Sequence, residues 1–125
     1  MSLRTPIARV RHLGSAKDGT HHWWMQRLTA AALVPLTLWF AAGVIGHVGA
    51  ELSDVQDWLA RPINAAAMIL FTSAAFYHGQ LGMQVVIEDY VHHEGLKIAA
   101  IVLVKFLSAL LGLTAVIAVV QIATA

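Results

Sequence analysis

Three long stretches of this 125-residue chain are almost free of charge, and polar clusters separate them. The first, Leu28 to Val48, carries no charged residue and matches the roughly 20 residues that an α-helix needs to cross a hydrocarbon core. The second, Ile63 to Ile87, is polar only at Asn64, Thr72, Ser73, His78, Gln80 and Gln84, and is long enough to span with some tilt. The third runs from Ile98 to about Ile122 with one charge, Lys105, about two turns in, close enough to the nearer surface to snorkel. The pattern predicts an all-α membrane protein. It is expected to be one domain, residues 1–125, with transmembrane helices at about 28–48, 63–87 and 98–122. Between the first two spans, Leu52, Val55, Trp58 and Leu59 recur at helical spacing, with Asp54 and Asp57 turned elsewhere. That spacing predicts a short helix lying on the outer interface.

Composition supports lipid as the surrounding medium. Apolar residues make up 58% and charged residues 12%, and the mean hydropathy is +0.70, whereas a soluble domain has about 45–50% and about 25%. A formal net charge of +1 argues against nucleic acid as a partner, because such binders concentrate basic residues. The absence of cysteine removes disulfide frameworks, thiolate zinc, iron–sulfur clusters and covalently attached haem.

Cations cluster before the first span, as Arg4, Arg9, Arg11, Lys17 and Arg27 against Asp18 alone. The first loop offers Arg61 beside Glu51, Asp54 and Asp57. By the positive-inside rule the segment 1–27 is expected on the cytoplasmic side and the C-terminus in the periplasm. The apolar run starts too late and is too long for a cleavable signal peptide, so an uncleaved multi-pass anchor in a bacterial inner membrane is expected. Trp23 and Trp24 fit the aromatic belt at the inner interface.

Histidine is the residue type whose number asks for an explanation, with seven in the chain. His12, His21, His22, His92 and His93 fall outside the spans, and His47 sits at the outer end of the first. His78 lies about nine residues, or roughly 13–14 Å, from the inner end of its helix, near the bilayer midplane. An imidazole there needs partners for both ring nitrogens. Two readings follow. One is a packing histidine bonded to a helix carbonyl or to Ser or Thr. The other is a metal or haem ligand with its second nitrogen on a polar acceptor.

Ala75, His78, Gly82, Val85 and Asp89 share one stripe, with Ala74 and Gly79 close by, which leaves room for a flat macrocycle or for a close helix. One histidine supplies one axial position, so a second ligand must come from elsewhere. Glu88, Asp89, Tyr90, His92 and His93 form either a polar helix cap or a proton-conducting mouth. Arg27 either snorkels or pairs with a buried carboxylate such as a haem propionate. No nucleophile–base pair, phosphate loop or carboxylate dyad is present, so the chain is not expected to catalyse a reaction by itself.

The run His78-Gly-Gln-Leu-Gly-Met-Gln-Val-Val-Ile-Glu-Asp-Tyr90 resembles the H-x-x-x-G-M/L-x-x-V-x-x-D-Y segment of the bacterial hydrophobic membrane anchor subunits of succinate dehydrogenase, respiratory complex II. The three spans and the polar stretch Gly19-Thr-His-His-Trp-Trp-Met-Gln-Arg27 before the first of them are also similar to that family. The resemblance implies that His78 is an axial ligand to the iron of a b-type haem, whose other ligand comes from a companion cytochrome b subunit. It implies Arg27 near the haem propionates, Tyr90 bonded to a carbonyl oxygen of ubiquinone, and Asp89 as its acidic neighbour. His22 stands where some members carry an acid and takes no role from the family.

The implied function is that of a non-catalytic subunit in succinate-to-ubiquinone electron transfer, at the junction of the tricarboxylic acid cycle and electron transport. Its partners would be the cytochrome b, iron–sulfur and flavoprotein subunits. The alternatives are the anchor of a quinol:fumarate reductase, or a purely structural tether without haem.

Overall fold

The computed structural model describes Ile7 and residues 17–125. Arg4, Arg9, Arg11 and His12 lie outside the described residues, as do the side chains of Lys17 and Asp18, so most of the basic flank behind the expected orientation does too. Four helices follow one another in the described residues: α1 Lys17–Gly46, α2 Leu52–Ala60, α3 Pro62–Tyr90 and α4 Glu94–Thr124. The expected spans 63–87 and 98–122 fall inside α3 and α4, and the short helix expected between the first two spans is α2. The helix that carries the first span starts well before Leu28. Apolarity marks where a helix meets lipid, and Gly19 to Arg27 continue the same helix with polar side chains that the apolar pattern leaves out.

Local chemistry explains the corners. Arg61 joins α2 to α3 in an extended conformation (φ −68°, ψ 127°), as the residue before a proline favours, and Pro62 then opens α3 at a position that needs no N–H. The two helices meet at 91°. Asn64 Nδ2 donates to the Trp58 carbonyl at 2.8 Å, satisfying one of the orphan acceptors at the end of α2. At the opposite turn His93 caps α4, its Nδ1 accepting from the Leu96 N–H at 3.3 Å. Gly49, at φ 80°, occupies the left-handed region after α1, which glycine enters without a steric cost.

The long helices form a layer with α3 in the middle. α3 packs on α1 along one side and on α4 along the other, and α1 and α4 do not pack on each other among the described residues. Thr29 meets His78, and farther along Phe40 stacks on Phe71 at 4.6 Å, so α1 and α3 run antiparallel. Gln84 borders a hollow with Lys105, and farther along α4 Gly112 lies against Phe76, so α3 and α4 are antiparallel as well. Near the α2 corner, Trp58 stacks on Trp39 at 5.4 Å and lies across Gly43.

By length and apolarity, Gly19–Gly46 and Glu94–Thr124 can each cross a membrane, and the bent pair α2–α3 makes a third candidate. Among the described residues buried apolar side chains are few, namely Leu59, Leu81, Ile87 and Val119, while large apolar residues such as Leu38, Ile45, Phe106 and Leu113 face outward. Such a surface suits a chain embedded in lipid and among partner helices.

Candidate functional site

The site is built where α1 and α3 touch. Thr29 is 8% exposed, and its Oγ1 lies 2.7 Å from the Met25 carbonyl, 3.2 Å from the Gln26 carbonyl and 2.9 Å from His78 Nδ1. A hydroxyl has one hydrogen. With that hydrogen on the Met25 carbonyl, the shortest of the three contacts, Oγ1 is free to accept from His78 in the tautomer that carries its proton on Nδ1. The other nitrogen, Nε2, is then left with a free lone pair. None of the described residues bonds to it.

His78 borders an apolar groove of about 390 Å³ lined by Ala30, Leu33, Val34, Thr37 and Leu38 of α1. Both sequence readings of His78 foresee a polar acceptor on one nitrogen, and Thr29 is that acceptor. In the Nδ1–H tautomer, Nε2 keeps a lone pair at the edge of the apolar groove, where a metal-bearing group could meet it. The small residues of the His78 stripe divide by position. Gly82 faces α1, where a methyl group would meet the Gln26 amide at 3.8 Å, while Gly79 faces open space. Gly82 therefore serves helix contact.

Arg27, Ala30, Val34 and Leu38 follow one stripe of α1, so Arg27 stands one turn from the groove on the same side. Its guanidinium lies 3.9 Å from the centroid of the Trp23 ring. Tyr90 is the last residue of α3 and is 78% exposed, and Asp89 beside it is exposed as well. Twelve residues place Tyr90 about 18 Å from His78 along the helix and about 120° around it. Neither Tyr90 nor Asp89 makes a side-chain contact with His78 through the described residues. Glu88 accepts from Gln84 Nε2 at 2.8 Å.

Other histidines have structural work. His93 is the α4 cap, and His47 Nδ1 donates to the Gly43 carbonyl at 2.7 Å while its ring packs on Trp58 at 5.1 Å. Thr29 went unnoticed in the sequence because a hydroxyl near the start of an apolar run is common. The signal available was that His78 demands an acceptor and that few polar side chains of the first helix are placed to supply one.

Comparison with known proteins adds the decisive observation. Residues 1–120 match the model of the succinate dehydrogenase/fumarate reductase transmembrane subunit family. The chain belongs to that family.

Among relatives of this anchor family, the succinate dehydrogenase hydrophobic membrane anchor subunit of Rickettsia bellii is 38% identical over 108 residues, covering 86% of each chain. The membrane anchor subunit of Reclinomonas americana is 32% identical over 103 residues, 80% of this chain and 86% of the relative. That of Paracoccus denitrificans is 32% identical over 102 residues, 82% of this chain and 78% of the relative. No solved structure gives a significant match. Family membership makes the chain a membrane-integral subunit of a larger complex, and the apolar helices agree with it.

Proposed function

We propose that the chain is the hydrophobic membrane anchor of a bacterial succinate dehydrogenase, and that His78 Nε2 supplies one axial ligand to a b-type haem. The observation that carries the haem assignment is the Thr29–His78 hydrogen bond beside the groove, which supports a tautomer with its proton on Nδ1 and the Nε2 lone pair available. When bound, the haem supplies reversible one-electron storage. Arg27, on the groove stripe of α1, would pair with its propionates, and a companion cytochrome b subunit would supply the other ligand.

In this reading α1, α3 and α4 all cross the inner membrane. α3 has 29 residues, about 43 Å at 1.5 Å per residue, which covers the bilayer despite its polar positions. Successive antiparallel helices put the chain ends on opposite sides, and the basic N-terminal flank favours the cytoplasm for the first. The α3–α4 loop then faces the cytoplasm, beside the iron–sulfur and flavoprotein subunits. Exposed Tyr90 donates from its phenol to a ubiquinone carbonyl, and Asp89, with Glu88 close by, holds and passes protons at that aqueous edge. The names of the relatives favour succinate oxidation over fumarate reduction.

Replacing His78 by alanine in the assembled complex tests the central assignment. The b-type optical spectrum should be lost or shifted with its redox potential. An unchanged spectrum at an unchanged potential would leave His78 as a packing residue and the chain as a tether.

A further inference from the structure

A second concavity lies round α3 from Tyr90. Two hollows of about 390 and about 380 Å³ adjoin there, sharing Tyr77, Gln80 and Lys105. At 100° per residue, Tyr77, Gln80 and Gln84 lie about 80–140° around α3 from Tyr90, so the concavity opens on a different side of the helix from the exposed Tyr90 corner. The first hollow adds His21, His22 and Gln84, and lies toward the α3–α4 loop. The second adds Phe76, Ala109, Gly112 and Leu113, and runs away from the loop into the apolar length of the helices.

Several polar groups here lack partners. Lys105 makes no ion pair among the described residues; the pair recorded there joins Lys97 to Glu94, at 3.1 Å. Gln80 is only 9% exposed, lines both hollows and has no hydrogen-bond partner in the described residues. His22 Nε2 is buried without a partner among the described residues as well. Lys105 lies seven residues past Ile98, about 10 Å along α4, and its side chain leans back toward the loop. Its ammonium therefore comes within a few Å of the hydrocarbon boundary, where an anionic head group can reach it.

We propose that this double hollow binds an anionic phospholipid from the leaflet on the α3–α4 loop side. Lys105 holds the phosphate, His21, His22 and Gln84 surround the rest of the head group, and Gln80 and Tyr77 line the junction below it. An acyl chain lies along Phe76, Ala109, Gly112 and Leu113. The order of polarity decides for a lipid: polar at the loop end, cationic at the junction and apolar beyond, as in an amphiphile of that leaflet. A partner helix would match the charge with one carboxylate but would leave the polar hollow unused. The site does not depend on the haem assignment.

The test uses the whole complex, purified in mild detergent, stripped of lipid and titrated with phosphatidylglycerol or phosphatidylcholine while native mass spectrometry counts the bound molecules. The wild type should prefer phosphatidylglycerol, and Lys105→Met should weaken its binding about fivefold while Lys105→Arg retains it. Ala109→Phe, which fills the apolar hollow and keeps the charge, should weaken both lipids and covers the case in which Lys105→Met fails to assemble. Haem content should stay at the wild-type level in Lys105→Arg and Ala109→Phe. Equal phosphatidylglycerol binding by wild type, Lys105→Met and Ala109→Phe would overturn the proposal. So would a photoreactive group at position 109 that crosslinks to a partner subunit instead of to lipid.

Discussion

Thr29→Val is the most discriminating change at the α1–α3 contact. Valine keeps the volume of threonine, so the helices stay packed, but it removes the one acceptor that His78 Nδ1 has at 2.9 Å. The site is closed to water at this point, since Thr29 is 8% exposed. A buried N–H left without an acceptor costs about 1–3 kcal/mol. That cost applies to the tautomer with the proton on Nδ1, the one able to coordinate through Nε2, and it falls directly on ligation.

One to three kcal/mol corresponds to roughly 5- to 150-fold in affinity, which overlaps the roughly 10–100-fold losses usual when the outer hydrogen bond of a ligating histidine is removed. The assay is haem per flavin in the purified complex, followed by the rate of haem loss and by an optical redox titration. Thr29→Val should lose haem faster and shift the potential. Thr29→Ser keeps the hydroxyl on the Met25 carbonyl and should stay close to the wild type. If valine and serine variants retain haem equally, at the same potential, the hydrogen bond does not prepare His78 as a ligand.

Three other outcomes are expected. Tyr90→Phe should lower quinone reduction about 3- to 10-fold, the worth of one hydrogen bond, while succinate oxidation with an artificial dye stays intact; full quinone turnover would remove Tyr90 from the site. Gly43→Ala places a methyl group 2.9 Å from Trp58 Cζ2, so the indole must leave its stack on Trp39, at a cost of about 1–3 kcal/mol. The complex should inactivate sooner on heating, and an unchanged thermal half-life would contradict the close packing. His93→Ala removes the α4 cap and should destabilise the complex by about 0.5–2 kcal/mol with haem content unaltered. A large loss of haem would give His93 a role beyond capping.

Periodicity made the helices legible, because long apolar runs at this composition have few other solutions. The α2 helix was visible for the same reason, its apolar residues recurring at helical spacing. The start of α1 was hidden, since a helix that leaves the lipid keeps its hydrogen bonds while its side chains turn polar, as from Gly19 to Arg27. His78 stood out by its depth alone. Its partner did not, because the choice of Thr29, forty-nine residues away in sequence, depends on the register between two helices. Lys105 read as a snorkelling side chain, and only the packing of α3 on α4 shows that it borders a concavity with Tyr77 and Gln80.

A layer in which both outer helices lean on a single middle one has two faces and almost no interior, and its few buried apolar residues reflect that. In the cell this makes the abundance of the chain conditional. A copy inserted without companions offers quality-control proteases and competing membrane segments two broad unprotected sides, and little resistance to local opening. Companion subunits then govern how long each copy survives. Loss of any one of them should deplete this chain by turnover, with its messenger RNA and its synthesis unchanged.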